Sequence, residues 1–444
     1  MNDTPRSRIQ QFFDPPPTGM PVQWRMFWVA LLARLLFMTI AHTYRMRDIQ
    51  DHFQFGWEMG RIARALATGY GFADPFNGHS GPTAWTPPLY PLLMAGVFKV
   101  FGVYTRTSAW VILAFNCVFS AAVAPAVYEM GWRVFPRERG LKVALWSGWL
   151  WALYPAAMQY SVHWIWEMSL TVSLFAWALV LALRVRNIGE DSATDSRQTV
   201  RFWTIFGLLW GTIALSNSAL LTFLPFSALW MLWSEARDHA GRALRNAVIS
   251  GICFLAVVSP WVVRNEHALH AFVPMRSNFG AELFESVRPS NQGFPWGASI
   301  PFAQRDPVFQ HYKQIGEIAF SKERGAQAML IIQAKPEVFV ANFFKRIYFF
   351  WISVPHPVDH HPATEVIREL NFAFISLGGL LGLALALRRG LPGAWLFFWA
   401  LFIIPFTYYF ITVQARFRHP LEPILTVFIV YLFQSAEPAR RKLA

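Results

Sequence analysis

Apolar residues in this chain come in runs long enough to cross a bilayer, and charged residues collect in the gaps between them. A helix rises about 1.5 Å per residue, so about 20 consecutive apolar positions cover the hydrocarbon. Such runs predict spans at 24–43, 107–131, 143–161, 167–184, 202–217, 218–234, 247–263, 370–387, 394–411 and 420–435. The run 87–104 is apolar too, and the positive-inside bias decides how it lies. If it crossed, the cluster Arg133, Arg137, Arg139 and Lys142 would face outward. If it lies in the interface, that cluster falls inside, with Arg184 and Arg186, Arg237 to Arg245, Arg388 and Arg389, and the basic C-terminus. The second solution predicts an all-α polytopic membrane protein with about ten transmembrane helices and both termini cytoplasmic. Two segments, about 44–106 and 264–369, form long outer-face loops containing interfacial helices.

Composition agrees with this pattern. Of 444 residues 55% are hydrophobic and only 15% charged, whereas soluble proteins carry about 25% charged residues. The net charge of +13 belongs to cytoplasmic loops rather than to nucleic-acid binding. Cys117 and Cys253 sit in apolar runs, which argues against a disulfide framework. The polar, Pro-rich start leads directly into a full-length span and predicts no cleavable signal peptide. A 1–23 tail, one membrane domain over 24–435 and a 436–444 tail are therefore expected.

Chemistry concentrates at the predicted outer ends of the spans. Residues 49–67 predict a helix that stops at Gly69 and places Asp51 and Glu58, seven apart, on one face, with Asp48 three before. A carboxylate there could take a proton from an acceptor hydroxyl or amine, or could simply belong to a solvated helix pairing Glu58 with Arg61. Trp85 and Tyr90 suit the headgroup level. The stretch from Ser161 through His163 to Glu167 places an acid at the head of the fourth span, either functional or supporting the helix dipole. The second outer segment opens with Arg264 and Asn265, with Arg276 further on, and Arg264, Arg416 and Arg418 fall on the outer face against the general bias. Their forked donors match phosphate oxygens, although lipid headgroups or acids could equally hold each one. His356, Asp359, His360 and His361 fit no metal-ligand spacing and read as an exposed polar loop. No phosphate-binding glycine loop or dinucleotide fingerprint is present.

The order of these features resembles a known group. A first span is followed by an acidic outer helix, Pro-Pro-Leu-Tyr at 87–90 and Phe-Lys-Val-Phe-Gly at 98–102. An acid then heads the fourth span, followed by Pro260-Trp261-Val-Val-Arg264-Asn265 and Ala415-Arg416-Phe-Arg418-His-Pro420. This is similar to the GT-C superfamily, in particular the bacterial protein O-mannosyltransferase and lipid A aminoarabinose transferase group, over most of residues 24–435. The resemblance implies inverting transfer of a sugar from a polyprenyl-phosphate donor to a lipid, protein or glycan acceptor on the periplasmic face of the inner membrane. It implies a base among Asp48, Asp51 and Glu58, with Glu167 as a second acid near the acceptor or a divalent metal. Arg264, Arg416 and Arg418 match donor-phosphate positions, and Arg61, Asn265, Arg276, His163 and Tyr90 complete the expected binding set. The family's usual Asp-Glu and Lys-Pro-Pro are Asp51-His52 and Thr86-Pro87-Pro88 here. The rival class is a secondary transporter or a flippase of lipid-linked sugars, which predicts charges near the bilayer midplane and paired halves.

Overall fold

A computed structural model describes residues 13, 20–46, 53–190, 196–288, 306–352, 354 and 362–436. Among these residues the structure is helical, with one isolated antiparallel bridge between Ala73 and Pro82. Each predicted span is helical. α1 is Val22–Ile40, and after α2 (Glu58–Ala67) and α3 (Leu89–Phe101) the second span is α4 (Arg106–Ala121) continued by α5 (Val123–Val134). The third span is α6 (Arg137–Leu153) with α7 (Pro155–His163), followed by α8 (Met168–Val185) and α9 (Ser196–Ala214). The run 202–234 does divide: the helix stops at Ala214, a 3₁₀ turn occupies Ser218–Phe223, and α10 (Leu224–Leu269) begins. α10 kinks at His239 (φ −149°, ψ 71°), so it holds two predicted spans. After α11 (Phe279–Val287), α12 (Pro307–Ile315), α13 (Glu317–Ala334) and α14 (Pro336–Trp351), the bundle closes with α15 (Pro362–Arg388), α16 (Ala394–Phe410) and α17 (Glu422–Ala436). Five described helices, α1, α4–α5, α8, the later part of α10 and α15, are each long and apolar enough to cross a membrane.

α3 has 13 residues, a length of about 20 Å, too short for a hydrocarbon core of about 30 Å. That agrees with its reading as an interfacial helix. The predicted helix over 49–67 is corrected. A 3₁₀ turn at Phe53–Phe55 gives way to Gly56 (φ 85°) and Trp57 (φ 52°), and α2 starts only at Glu58. Glycine is required at 56 because a Cβ there would lie 2.3 Å from the Ile165 carbonyl oxygen. Close approach of two backbones breaks the helix, so Glu58 does not continue one helical face from the preceding residues. The same device packs α15 on α17, where a Cβ on Gly382 would meet the Phe428 carbonyl oxygen at 2.0 Å.

Inside the membrane every backbone polar group needs an internal partner. Pro155 has no N–H for the Trp151 carbonyl four residues back, and the residue before it, Tyr154, turns extended (φ −74°, ψ 121°). Arg34 of α1, fully buried, fills the gap. Its Nη2 donates to the Trp151 carbonyl at 3.1 Å, its Nη1 to that of Ala152 at 2.8 Å, and its Nε to Ser120 Oγ at 3.0 Å.

The segments between α1 and α4 and between α10 and α15 pack on each other at one end of the bundle. They carry two small cores, Phe76, Trp85, Phe309, Tyr312 and Phe320 in one, and Ile62, Phe72, Ala84, Trp261 and Val273 in the other. Glu317, buried at the start of α13, joins them. It accepts hydrogen bonds from Thr83 Oγ1, from the Ala84 amide at 2.7 Å, from Ser277 Oγ at 2.5 Å and from the Tyr312 hydroxyl at 2.8 Å. Burial pushes this carboxyl above its ordinary range while the donors pull it back.

Two outcomes follow for stability. Arg34→Ala leaves the Trp151 and Ala152 carbonyls without donors in an apolar setting and should cost about 3 kcal/mol, read as a lower melting temperature in detergent. Glu317→Gln offers one acceptor oxygen where two now serve four donors. Hydrogen exchange should rise at 83–84 and 277 while the α4–α9 helices stay protected.

Candidate functional site

The end of the bundle under this cap gathers several buried and half-buried charges, Arg61, Glu58, Glu167 and Arg416 among them. Trp57 and Glu58 follow Gly56, which touches the Ile165 carbonyl, and so Glu58 at the start of α2 approaches Glu167 at the start of α8. Glu167 is buried and Glu58 partly so. Both carboxyls are pushed above their ordinary range, chiefly by burial, and Glu58 raises Glu167 further. Arg416 pulls both back down. It stands in the 3₁₀ segment Ala415–Leu421 between α16 and α17, its guanidinium 3.9 Å from the centroid of the Trp166 ring. Trp166 is itself stacked on Trp164, centroids 5.0 Å apart at 6°.

Arg416 makes no hydrogen bond or ion pair among the described residues, and its Nε is buried with no partner. Burial lowers its pKa, and Glu167, Glu58 and Glu282 raise it in that order. The centre is thus a guanidinium whose hydrogen-bond donors meet no acceptor among the described residues, under the influence of carboxylates from three separate elements.

The other expected residues divide. Arg276 belongs to the cluster: it donates to the Trp85 carbonyl at 3.1 Å, lies 3.7 Å from Glu282 and acts on Glu167. Arg61, buried on α2, donates to the Pro75 carbonyl at 3.3 Å and acts on Glu58. Tyr90 is buried and acts on Glu167, but its hydroxyl pairs with Asn116, at 3.1 Å as donor and 2.9 Å as acceptor. Three residues are engaged elsewhere. Arg264 donates to the Thr83 carbonyl at 2.5 Å, to the Phe72 carbonyl and to Asn265 Oδ1, while Asn265 donates to the Val273 carbonyl at 2.9 Å. Both hold the cap in shape. Arg418 donates to the Phe372 carbonyl at 2.9 Å and to Ser376 Oγ at 2.5 Å and pairs with Glu422 at 3.3 Å, tying α15 to α17. His163 is exposed, edge-on to Phe37. Asp48, Asp51 and the 356–361 histidines lie outside the described residues.

Glu282 escaped the sequence reading. It lies in the first turn of α11, accepts from Asn278 at 3.0 Å and acts on Glu58 and Arg416. A first-turn acid after Asn278 is an ordinary helix start, so only the packing of the cap exposes its position. No group of three or more His, Cys, Asp or Glu that could hold a metal exists among the described residues.

No protein-family model and no curated protein sequence matches this chain. Solved structures do. The oligosaccharyltransferase AglB of Archaeoglobus fulgidus, in complex with an inhibitory peptide and a dolichol-phosphate, aligns with a TM-score of 0.55 at 13% identity, over 95% of this chain and 52% of that one. The same oligosaccharyltransferase tethered to an acceptor peptide with an NVT sequon gives 0.55 at 14% identity, over 93% and 49%. This chain thus spans about half the length of that protein. ArnT of Cupriavidus metallidurans bound to undecaprenyl phosphate gives 0.37 at 13% identity, over 90% and 77%. The chain is a polytopic membrane protein with the GT-C fold.

Proposed function

We propose that this protein is a glycosyltransferase that moves a sugar from a polyprenyl-phosphate donor to an acceptor at the outer face of the membrane. The observation that carries the proposal is Arg416, a half-buried guanidinium whose buried Nε meets no acceptor among the described residues and which acts on Glu58 and Glu167 at the mouth of the bundle. In the reaction a carboxylate takes the acceptor's proton as the acceptor oxygen or nitrogen bonds to the sugar's anomeric carbon from the side opposite the phosphate. The bond from that carbon to the phosphate oxygen breaks, its electron pair stays on the phosphate, and configuration inverts. Negative charge growing on the leaving oxygen is where a fixed guanidinium contributes most.

Glu58 acts as the described candidate for the base, and Glu167 shares its proton equilibrium, since two buried carboxylates side by side do not both ionise easily. The prenyl chain stays in the bilayer, because extracting it costs about 0.8 kcal/mol per CH₂. A site at the span ends meets such a donor without lifting it out of the membrane. That AglB was solved with a dolichol-phosphate supports a lipid phosphate as the leaving group.

Purified protein given polyprenyl-phosphate sugars and envelope acceptors should consume donor and release polyprenyl phosphate, measured by mass spectrometry. Glu58→Gln, Glu167→Gln and Arg416→Ala should each lower kcat/KM about 100-fold, a loss of about 2.7 kcal/mol in transition-state stabilisation. Folded wild type that consumes no donor overturns the proposal, and variants that match wild type overturn the assignment of these residues.

The pH dependence has a definite sign. The base must be ionised, so kcat/KM should climb with pH through an apparent pKa above the ordinary carboxylate value and then level off. Arg416→Ala removes a cation that lowers both carboxyls and should shift that limb to higher pH, whereas Arg416→Lys should leave it in place. Stability runs the other way. A folded carboxyl pKa above the unfolded one means that the native state holds extra protons, so stability falls as pH rises between the two. Glu167→Gln should therefore not lower the melting temperature at pH 7.5, and any gain should fade towards pH 4, where the unfolded carboxyls also carry protons.

A further inference from the structure

The opposite end of α8 borders a second cavity, about 390 Å³ in volume, between α8 and α9. Its α8 residues run from Trp177 to Arg184, so its far end lies about 25 Å along the helix from Glu167. Its walls are apolar along the bundle, with Leu181, Phe202, Ile205 and Leu209, and Ile205 is 38% exposed, so the groove opens on the flank. Its end is cationic and polar, with Arg184, Arg201 and Gln198.

The charges there do not balance. Glu129 Oε2 is shared by Arg133 Nε at 2.9 Å and Arg184 Nη2 at 3.2 Å, and Glu190 takes Arg133 Nη1 at 2.6 Å. Arg184 thus shares its carboxylate oxygen with a second guanidinium, and Arg201, at the same end of the cavity, is exposed and has no hydrogen bond or ion pair among the described residues. Arg184 Nε is buried and has no partner among them. Two guanidiniums at one end, a buried unmet donor and an apolar groove running away from them match an amphiphile with a single anionic phosphodiester.

We infer that the cleft between α8 and α9 binds one anionic diacyl phospholipid, its phosphodiester held by Arg184 and Arg201 and an acyl chain laid along Leu181, Ile205 and Leu209. The arginine-rich end is the one the positive-inside bias assigns to the cytoplasmic leaflet, where anionic headgroups are available. A zwitterionic headgroup brings its own cation and fits the two guanidiniums poorly.

Native mass spectrometry of the delipidated full chain in detergent tests this. The probes are phosphatidylglycerol, phosphatidylcholine with the same acyl chains, and glycerol 3-phosphate. Phosphatidylglycerol should be retained as a single adduct at least ten-fold over phosphatidylcholine, with glycerol 3-phosphate not retained. Arg201→Gln should cut that preference at least three-fold, and Ile205→Trp, which fills the groove, should abolish the adduct, both with unchanged melting temperature in detergent alone. Equal retention of the two lipids overturns the inference. So does retention of glycerol 3-phosphate alone, which would mean a plain phosphate site, and so does an adduct that survives Ile205→Trp, which would mean surface attraction only. If Arg201→Gln or Ile205→Trp lowers the melting temperature, Arg201→Lys must retain the adduct, and its loss in that variant counts against the site.

Discussion

Glu317 accepts from Thr83, Ala84, Ser277 and Tyr312, and the first of these partners lies 234 positions away in the chain. A buried carboxylate is tolerable only with its oxygens fully supplied, and here the donors come from both long extramembrane segments. Arg264 repeats the device from the end of α10, donating to the Thr83 and Phe72 carbonyls. Together they fix the cap over the bundle, and the cap carries Arg61, Arg276 and Glu282, three of the charges around the candidate centre. Long loops are entropically costly to order, and two small aromatic cores alone give little to offset that cost. Polar clamps of this kind make the loops behave as one layer with the helix ends.

What separates the candidate centre from these clamps is satisfaction. Arg34, Arg264 and Arg418 are all buried or half-buried arginines, yet each spends terminal donors on named carbonyls, a hydroxyl, an amide or a carboxylate, even though Arg418 Nε, like that of Arg416, is buried without a partner among the described residues. Arg416 lies over an indole face with a buried Nε that meets no acceptor, and it faces acids that burial has pushed up. A low-dielectric site charges heavily for an unmet donor, so such an arrangement persists where a ligand completes it. Of the three arginines expected to meet phosphate, Arg264 and Arg418 are already engaged by the fold, which leaves Arg416 as the proposed phosphate contact.

The fold was legible because bilayer physics writes directly into hydropathy: run length marks the helices, and the break within 202–234 appears as the stop at Ala214. The individual roles of the arginines were not legible. Nothing in Pro-Trp-x-x-Arg-Asn says that Arg264 will meet the Thr83 carbonyl, a partner 181 positions away. The helix expected over 49–67 failed for a similar reason, since Gly56 is needed by a backbone contact with Ile165 that only the tertiary structure reveals. Glu58 and Glu167 were both singled out as acids at span mouths. That they face one cation together follows from that glycine contact. Glu282 carried no sequence signal beyond a helix start, and Arg34 was hidden inside an apolar run, where its partner is the Trp151 carbonyl that Pro155, lacking an N–H, leaves without a donor.

α8 shows how one physical rule can mask two different sites. Its acid stands at the N-terminus and Arg184 in its last turn, both where a helix dipole favours them. Either residue alone is therefore accounted for by helix electrostatics worth about 0.3–1 kcal/mol. The dipole, however, explains neither neighbourhood. At the first end a second acid is held close by a glycine contact that costs the chain its regular helix. At the other end two arginines compete for one glutamate oxygen and leave a buried donor unmet. Both arrangements cost free energy in the protein alone, and on the proposed readings an anion offsets each: a sugar-bearing lipid phosphate at one end, a phospholipid headgroup at the other. Glu167 and Arg184 are 17 positions apart, about 25 Å along α8, close to the thickness of the hydrocarbon core.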